Sequence, residues 1–342
     1  MEQQLFGTTN SGFPVYCFSM TDKEGITATV CNYGCRIIQL STPDRTGFSR
    51  NIVLGYDQFP PYEADAKYAG AVVGRVANVI RNAKFELDGR VYKLTPNDPP
   101  HHLHGGAQSF SNTVWEILER SECRIVFSHR FTDGADGYPG NLDVKVIYSL
   151  PGNGAFHIRY EAVSDQETPI SFTNHSYFNL DADFTRNITD HLIQIRADQY
   201  LELSEQALPT GVLAPVADSR LDFRIPRTLE HIEDPALQST RGYDHTFLLS
   251  GNGMRHVASA YSPYTGRRMQ VYTDLPALQF YTSNYPEDLL FLHDGVPDRI
   301  HNAVCFETQY ATDFVHHTSF PGKYLLPGER YSSETVYRFD TV

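Results

Sequence analysis

The 342-residue sequence predicts an all-β protein, a large antiparallel sandwich with few short helices. Apolar residues recur at every second position rather than at helical spacing, which is the pattern of half-buried strands. Aromatic residues, which favour strands, make up 13% of the chain, and 24 Gly and 20 Pro separate many short runs. No low-complexity linker, composition break or repeat divides the sequence, so we expect one domain over residues 1–342.

Two hairpins are predicted from local patterns. Residues 85–94 contain Asp88-Gly89 between two short alternating runs, and this pair readily adopts the positive φ angles of a type I′ turn. Residues 142–150 alternate apolar and polar side chains, residues 151–154 read Pro-Gly-Asn-Gly, and the alternation resumes over 156–162. This second pattern predicts a longer antiparallel hairpin with one face in the core.

Helices are expected only at the periphery. The best candidate covers residues 228–237, but Pro235 interrupts it. A helix of that length is too short to form a layer of the structure.

The composition limits the expected partners and location. Lys and Arg total 28 against 41 Asp and Glu, a formal net charge of −13, which disfavours binding to nucleic acid or to an anionic membrane surface. No segment approaches the roughly 20 apolar residues that cross a bilayer, and the first residues do not resemble a secretory signal. The five cysteines are odd in number and widely spread, which favours reduced thiols. We therefore expect a cytoplasmic protein.

A histidine-rich segment precedes two glycines. His102 and His104 would share one face of an extended segment, and Gly105 and Gly106 would let backbone approach a ligand closely. Metal binding is one interpretation, although no third ligand follows at a convincing spacing. A turn with incidental histidines is the other.

Two further segments contain candidates for proton transfer. His175 is flanked by asparagines and aromatic residues, and its near-neutral reference pKa suits proton donation, although a structural histidine fits the pattern equally well. Glu307 is a lone carboxylate in an apolar strand, where burial would raise its pKa and poise it as a base. The alternative is that Glu307 points to solvent from an edge strand. Asp244 and Gln279 also interrupt strand-like runs, but either could simply cap a loop or bond within a sheet.

Many short segments together, in this order, resemble the galactose mutarotase (aldose 1-epimerase) family over nearly the whole chain. The segments are Asn32-Tyr33-Gly34-Cys35, residues 51–56, Gly74-Arg75-Val76-Ala77-Asn78, Leu103-His104-Gly105-Gly106, Trp115, the surroundings of His175, Pro209-Thr210-Gly211, Asp222-Phe223-Arg224, Tyr243-Asp244-His245, Gln279-Phe280-Tyr281, Phe306-Glu307-Thr308-Gln309 and residues 326–331. Each motif is weak alone, and their collinear order carries the resemblance.

The resemblance implies a β-supersandwich that interconverts the α and β anomers of a free aldohexose, such as galactose or glucose, without cofactor or metal. By position, His175 matches the family's general acid and Glu307 its general base. The positions that match the family's sugar-binding residues are Asn78, His104, Asp244 and Gln279. We expect kcat/KM to fall at low pH as Glu307 gains a proton and at high pH as His175 loses one.

One position departs from the family pattern. The family usually reads Ala-Asn-Arg-Ile where this chain reads Ala77-Asn78-Val79-Ile80, so Val79 replaces a sugar-binding arginine. We expect Arg81, two residues on along a strand and therefore on the same face, to substitute in part. Arg75 is a weaker candidate.

Two other functions stay open from the sequence. A non-catalytic carbohydrate-binding module could use the same sandwich, although binding alone would not require both proton-transfer candidates. An epimerase of a phosphorylated hexose would require several arginines around the phosphate, which the acidic composition does not favour. The preferred aldose, and whether the protein is a monomer or a homodimer, are not fixed by the sequence.

Overall fold

The computed structural model describes residues 1–287 and 290–342, and strands dominate them, as predicted. The first strands are β1 (Glu2–Thr8), β2 (Pro14–Thr21), β3 (Thr27–Cys31), β4 (Ile37–Pro43), β5 (Ser49–Asn51), β6 (Val72–Val73), β7 (Val79–Ile80), β8 (Lys84–Leu87), β9 (Arg90–Lys93), β10 (His102–Leu103), β11 (Glu116–Arg120), β12 (Arg124–Phe131), β13 (Leu142–Ser149) and β14 (Ala155–Ser164). They are followed by β15 (Thr168–Pro169), β16 (Thr173–Asn174), β17 (Tyr177–Phe178), β18 (Leu192–Ile195), β19 (Ala197–Leu203), β20 (Pro209–Pro215), β21 (Asp244–Leu249), β22 (Arg255–Tyr261), β23 (Arg267–Thr273), β24 (Ala277–Tyr281), β25 (Val304–Gln309), β26 (Tyr324–Leu325) and β27 (Arg330–Thr341).

Helices are few and short, also as predicted. The one α-helix in the described part of the chain is α1 (Pro60–Glu63). Turns of 3₁₀ helix cover Arg81–Ala83, Phe110–Asn112, Ala135–Gly137, Pro235–Thr240, His293–Gly295 and Phe314–His316. The helix candidate at residues 228–237 is not helical before Pro235, where a 3₁₀ turn begins and the Asp234 side chain accepts a hydrogen bond from the Ala236 N–H.

Three larger sheets form the architecture. An eight-stranded sheet has the order β11-β12-β13-β14-β27-β23-β22-β18, and a six-stranded sheet has the order β17-β25-β24-β21-β19-β20. A five-stranded meander runs from β1 to β5, and β6 to β10, β15, β16 and β26 form two-stranded pairs. The pairings between these strands are antiparallel, which confirms the predicted sandwich class.

Both predicted hairpins are present. β8 pairs with β9 across Asp88 and Gly89, whose φ angles of 52° and 74° are those of a type I′ turn. β13 pairs with β14 over its full length, and its buried residues Leu142, Val144 and Val146 face the core as the alternation predicts.

The eight-stranded and six-stranded sheets pack face to face around the main core. The Tyr337 hydroxyl on β27 donates to the Phe306 carbonyl on β25 at 3.0 Å, and its ring lies 5.0 Å from that of Phe178 on β17. Because side chains alternate along a strand, Phe306 and its neighbours at every second position fill this core. The intervening residues of β25 therefore face the opposite side of the six-stranded sheet.

Two further expectations concern solvent and redox environment. No helix in residues 1–287 and 290–342 is long and apolar enough to cross a membrane. All five cysteines are free thiols, as the sequence predicts, and only Cys123 is exposed.

Candidate active site

Three neighbouring strands present polar side chains on one face of the six-stranded sheet. In the register of β24, Gln279 lies opposite Glu307 of β25 on one side and opposite Thr246 of β21 on the other. Asp244 lies two residues before Thr246 on β21, and Cys305 lies two residues before Glu307 on β25, so both share this face. The sheet register thus brings together residues up to about sixty positions apart in the sequence.

Glu307 is buried at the centre of this row. Its side chain is 2% exposed, and β25 lies between β17 and β24, so the alternative of an edge strand pointing to solvent is wrong. Burial raises the pKa of Glu307 well above its ordinary value, and the nearby Asp244 carboxylate raises it further. Its Oε2 atom has no hydrogen-bond partner among the described residues.

His175 lies where the chain crosses between two sheets. β16 before it pairs with β6, and β17 after it pairs with β25, so the short segment between them is held on both sides. The His175 N–H donates to the Ala71 carbonyl at 2.8 Å, and its own carbonyl accepts from the Gly70 N–H at 3.0 Å. The Asn174 side chain donates to the Gly70 carbonyl and accepts from the Ser176 hydroxyl. The asparagine and serine beside His175 therefore fix its backbone.

The structure brings the two proton-transfer candidates into one pair. His175 Nε2 lies 3.6 Å from Glu307 Oε1, and the His175 side chain is 7% exposed. Burial lowers the pKa of His175 to about 4. Because burial opposes charge on both groups, it favours a neutral imidazole and a protonated carboxyl.

The other edges of the His175 ring are also in contact. Cys305 Sγ lies 3.6 Å from His175 Nδ1, and the Tyr177 ring is 4.9 Å from the imidazole, centroid to centroid. Tyr68, a half-buried residue with a φ of 56°, lies 6.3 Å away in a stacked orientation. Glu307 and Cys305 thus approach different ring nitrogens.

His104 and Asn78 form a second edge of the site. The His104 ring lies 5.4 Å from the His175 ring, and its Nδ1 accepts a 3.2 Å hydrogen bond from the Asn78 N–H. Burial lowers the pKa of His104 well below its usual value, so the ring is neutral and its proton is on Nε2. Gly105 permits this turn, since a Cβ there would lie 1.9 Å from the Gly74 carbonyl oxygen.

Asp244 and Gln279 are hydrogen-bonded to each other. Gln279 Nε2 donates to Asp244 Oδ1 at 2.6 Å, and Gln279 Oε1 accepts from the Thr246 hydroxyl. Burial raises the pKa of Asp244 to about 6, against the lowering effect of the Gln279 hydrogen bond. The orientation of the Gln279 amide is thereby fixed.

The two arginines considered as substitutes for Val79 occupy different environments. β7 ends at Ile80 and Arg81 begins a 3₁₀ turn, so the expectation that Arg81 shares a strand face with Val79 is wrong. The Arg81 guanidinium donates to the Pro209 carbonyl and lies 3.6 Å from Asp313 Oδ2. Arg75 is buried and donates to the Pro139 carbonyl at 2.6 Å. Neither guanidinium is free of protein partners.

Three residues near the pair were not singled out from the sequence. Thr246 and Cys305 lie two positions from Asp244 and Glu307, so period-two alternation alone would have placed them on the site face. Tyr68 follows no strand pattern and approaches His104 to 4.6 Å through a loop. No local signal in the sequence identifies it.

The metal interpretation of His102 and His104 does not fit the geometry. His102 has 0% exposure, and its two ring nitrogens contact the Thr95 carbonyl and the Tyr138 hydroxyl. His175, Cys305 and Glu307 place ligand atoms within 4.8 Å of one another. However, Glu307 approaches Nε2 of His175 and Cys305 approaches Nδ1, and burial raises the pKa of Cys305 well above its ordinary value. A protonated thiol on the far nitrogen does not suit a shared metal ion.

These features define a class of protein, an antiparallel β-sandwich with a buried histidine–glutamate pair among polar side chains on one sheet face. The family model described as Aldose 1-epimerase matches residues 16–338. The chain belongs to the aldose 1-epimerase family.

Relatives of known name match along nearly the full length. Human galactose mutarotase is 38% identical over 339 residues, covering 98% of this chain and 97% of that protein. The aldose 1-epimerase of Escherichia coli K12 is 32% identical over 340 residues, covering 96% of each.

Solved structures agree with these matches. A GalM/aldose epimerase homologue from C. elegans superposes with a TM-score of 0.89 at 29% identity, covering 95% of this chain and 99% of that one. Galactose 1-epimerase from Lactobacillus acidophilus superposes with a TM-score of 0.86 at 25% identity, covering 99% and 98%. The fold and family are therefore those that the sequence motifs indicate.

Proposed function

We propose that this protein is an aldose 1-epimerase that interconverts the α and β anomers of a free aldohexose such as galactose or glucose. The observation that carries the proposal is the 3.6 Å contact between His175 Nε2 and Glu307 Oε1 in a buried polar site. The named relatives, at 32 to 38% identity over the whole chain, support the same activity.

The reaction requires two proton transfers and no net change of protons. Glu307 takes the proton of the C1 hydroxyl while the C1–O5 bond breaks, and His175 delivers a proton to O5. The electron pair of the O–H bond forms the aldehyde C=O, and rotation about C1–C2 presents the other face of the carbonyl. Ring closure reverses both transfers. Each positioned transfer contributes typically 10²- to 10⁴-fold in rate.

One shared proton satisfies both the chemistry of the reaction and the electrostatics of the buried pair. Protonated Glu307 with neutral His175, which burial favours, contains the same number of protons as ionised Glu307 with charged His175, which the reaction requires. A proton can therefore redistribute between them once a sugar replaces water. The pH dependence of the rate belongs to the pair rather than to either residue.

The surrounding groups suit a neutral, polyhydroxylated ligand. We propose that His104 and Asn78 donate to sugar hydroxyls, that Asp244 accepts from them, and that Gln279 orients Asp244. Arg81 is a weaker proposal as a sugar ligand, because its guanidinium already contacts Pro209 and Asp313. A phosphorylated hexose fits less well, since its charge would be repelled by the Asp244 carboxylate, whose pKa is raised only to about 6.

Polarimetry on freshly dissolved galactose tests the proposed reaction. We expect the protein to accelerate the decay of optical rotation, and Glu307→Gln and His175→Asn to lower kcat/KM by at least about 10²-fold. The matched controls are Glu334→Gln and His157→Asn, which alter a His–Glu pair at 2.9 Å whose side chains are 32% and 27% exposed. Galactose binding without acceleration by the wild type would identify a binding module instead. Near-normal rates in both site variants would reject the residue roles.

Other properties follow as parts of the same proposal. We propose one domain over residues 1–342, supported by the pairing of β14 with β27 near the end of the chain. The five free cysteines support a reducing, cytoplasmic location. The proposed partner is the sugar substrate, and the assembly is a monomer or a homodimer.

A further inference from the structure

Cys305 is a buried thiol in contact with the proposed acid of the reaction. Its Sγ lies 3.6 Å from His175 Nδ1, within hydrogen-bonding distance for sulfur, and its exposure is 0%. Cys305 and Glu307 are two residues apart on β25 and share one face. A single strand therefore supplies the groups next to both ring nitrogens of His175.

The packing around His175 does not by itself decide which ring edge faces Glu307. Rotation of an imidazole by about 180° exchanges nitrogen and carbon positions with almost no change in shape. The Tyr177 ring at 4.9 Å contacts a face of the imidazole and is therefore indifferent to that exchange. The polar contact to Nδ1 distinguishes the two orientations, and in the described part of the chain Cys305 is the side chain that makes it.

We propose that Cys305 is a positioning residue, whose hydrogen bond to Nδ1 holds the His175 ring with Nε2 directed at Glu307 and the sugar. This inference rests on the proposed epimerase function. A thiol is suited to the task because its S–H can donate to a bare Nδ1, and its sulfur can accept from Nδ1–H, which the ring carries when it is charged and when Nε2 accepts the proton of Glu307. The contact therefore persists in both protonation states of the reaction.

A stronger partner would be less suitable at this position. A carboxylate next to Nδ1 would stabilise the imidazolium and so weaken His175 as an acid. Burial, together with the Glu307 carboxyl, raises the pKa of Cys305 well above its ordinary value, so the thiol stays neutral. Cys305 orients the ring without adding a charge.

Three substitutions separate hydrogen bonding from packing. Cys305→Ser retains a donor and acceptor, Cys305→Val fills the space without either, and Cys305→Ala removes both volume and hydrogen bond. We expect kcat for galactose to fall about 10-fold or more in the Val and Ala variants, with KM within about twofold of wild type, because a misdirected group slows chemistry more than binding. We expect the Ser variant to recover most of the lost kcat. Cys31→Ala, at a buried thiol in β3, is the control for the loss of a buried cysteine.

A spectroscopic measurement makes the test independent of turnover. Imidazole ¹⁵N shifts of His175, assigned by comparison with His175→Asn, should report a hydrogen-bonded Nδ1 in wild type and a free one in Cys305→Val. Wild-type kcat in a folded Val variant, or Ser as slow as Val, would overturn the proposal. So would a wild-type Nδ1 shift without a hydrogen bond, a result that stands even if a variant fails to fold. Absence of epimerase activity in the wild type would instead refute the proposed function and leave the ¹⁵N test of the contact valid.

Discussion

Replacing Glu307 by Gln should stabilise the fold while it removes activity, and the stabilisation should depend on pH. Burial and Asp244 raise the pKa of Glu307 in the folded protein, whereas the unfolded chain has the ordinary carboxyl value of 4.5. The folded protein therefore binds the proton more tightly than the unfolded chain. The wild type loses stability as pH rises from the unfolded value through the folded value, and Gln, which never ionises, does not.

The magnitude follows from the pH interval. The difference in free energy of unfolding, Gln variant minus wild type, should increase by up to about 1.36 kcal/mol for each pH unit above the ordinary carboxyl pKa. At pH 7 the difference cannot exceed about 3.4 kcal/mol from this source, and it is constant once pH exceeds the folded pKa. His175 titrates in both proteins, so its contribution largely cancels in the comparison.

Urea unfolding of both proteins from pH 4.5 to pH 8 measures this difference. Glu334→Gln, at a partly exposed carboxylate paired with His157, is the control for replacing a carboxylate by an amide. A Gln variant that is equally stable at every pH would refute the claim that Glu307 is held in an unfavourable environment. If the Gln variant instead became less stable relative to the wild type as pH rises, the fold would be shown to stabilise the Glu307 carboxylate.

Three other results are expected. The pH profile of kcat/KM should be bell-shaped with an acidic limb near pH 4, where the pair takes up a second proton, rather than the limb from Glu307 protonation that the sequence suggested; a limb at pH 6.5 would contradict the shared-proton scheme. Gly105→Ala should lower the free energy of unfolding by about 2 kcal/mol or more, because its Cβ would collide with the Gly74 carbonyl. The control Gly12→Ala, in open space at a similar φ, should lower it by about 1 kcal/mol, and equal losses in thermal unfolding would show that the Gly74 contact does not matter. Arg81→Ala should raise KM for galactose about tenfold if Arg81 binds the sugar, and an unchanged KM would leave Arg81 with its Pro209 and Asp313 contacts alone.

The sequence was sufficient to predict those parts of the fold in which adjacent residues determine the backbone conformation. The Asp88-Gly89 turn and the alternation over residues 142–150 were predictable, because turn conformation and burial there follow from adjacent residues. Arg81 was misplaced because strand alternation was extended past Ile80, where the strand ends and a 3₁₀ turn over Arg81–Ala83 begins. The rule that alternate residues share a face holds only within extended backbone.

The sequence motifs identified both residues of the His175–Glu307 pair, but not the energetics of the pair. The burial of the two side chains depends on strands β17 and β24, which flank β25 in space. The opposite pKa displacements of the two groups follow from that burial, which no local pattern shows. The position of Tyr68 depends on a loop, and the contact of Cys305 with Nδ1 depends on a neighbouring strand, so neither could be predicted from the sequence.

Strand β25 is buried on both faces, with the sandwich core on one side and the His175–Glu307 pair on the other. Inserting or deleting one residue within it would exchange the two faces, so that Glu307 would enter the apolar core and Phe306 would line the proposed sugar site. Such a change would abolish folding and catalysis together rather than partly reduce either one. Laboratory evolution of a new sugar preference should therefore accept length changes in the surrounding loops and only substitutions in this strand.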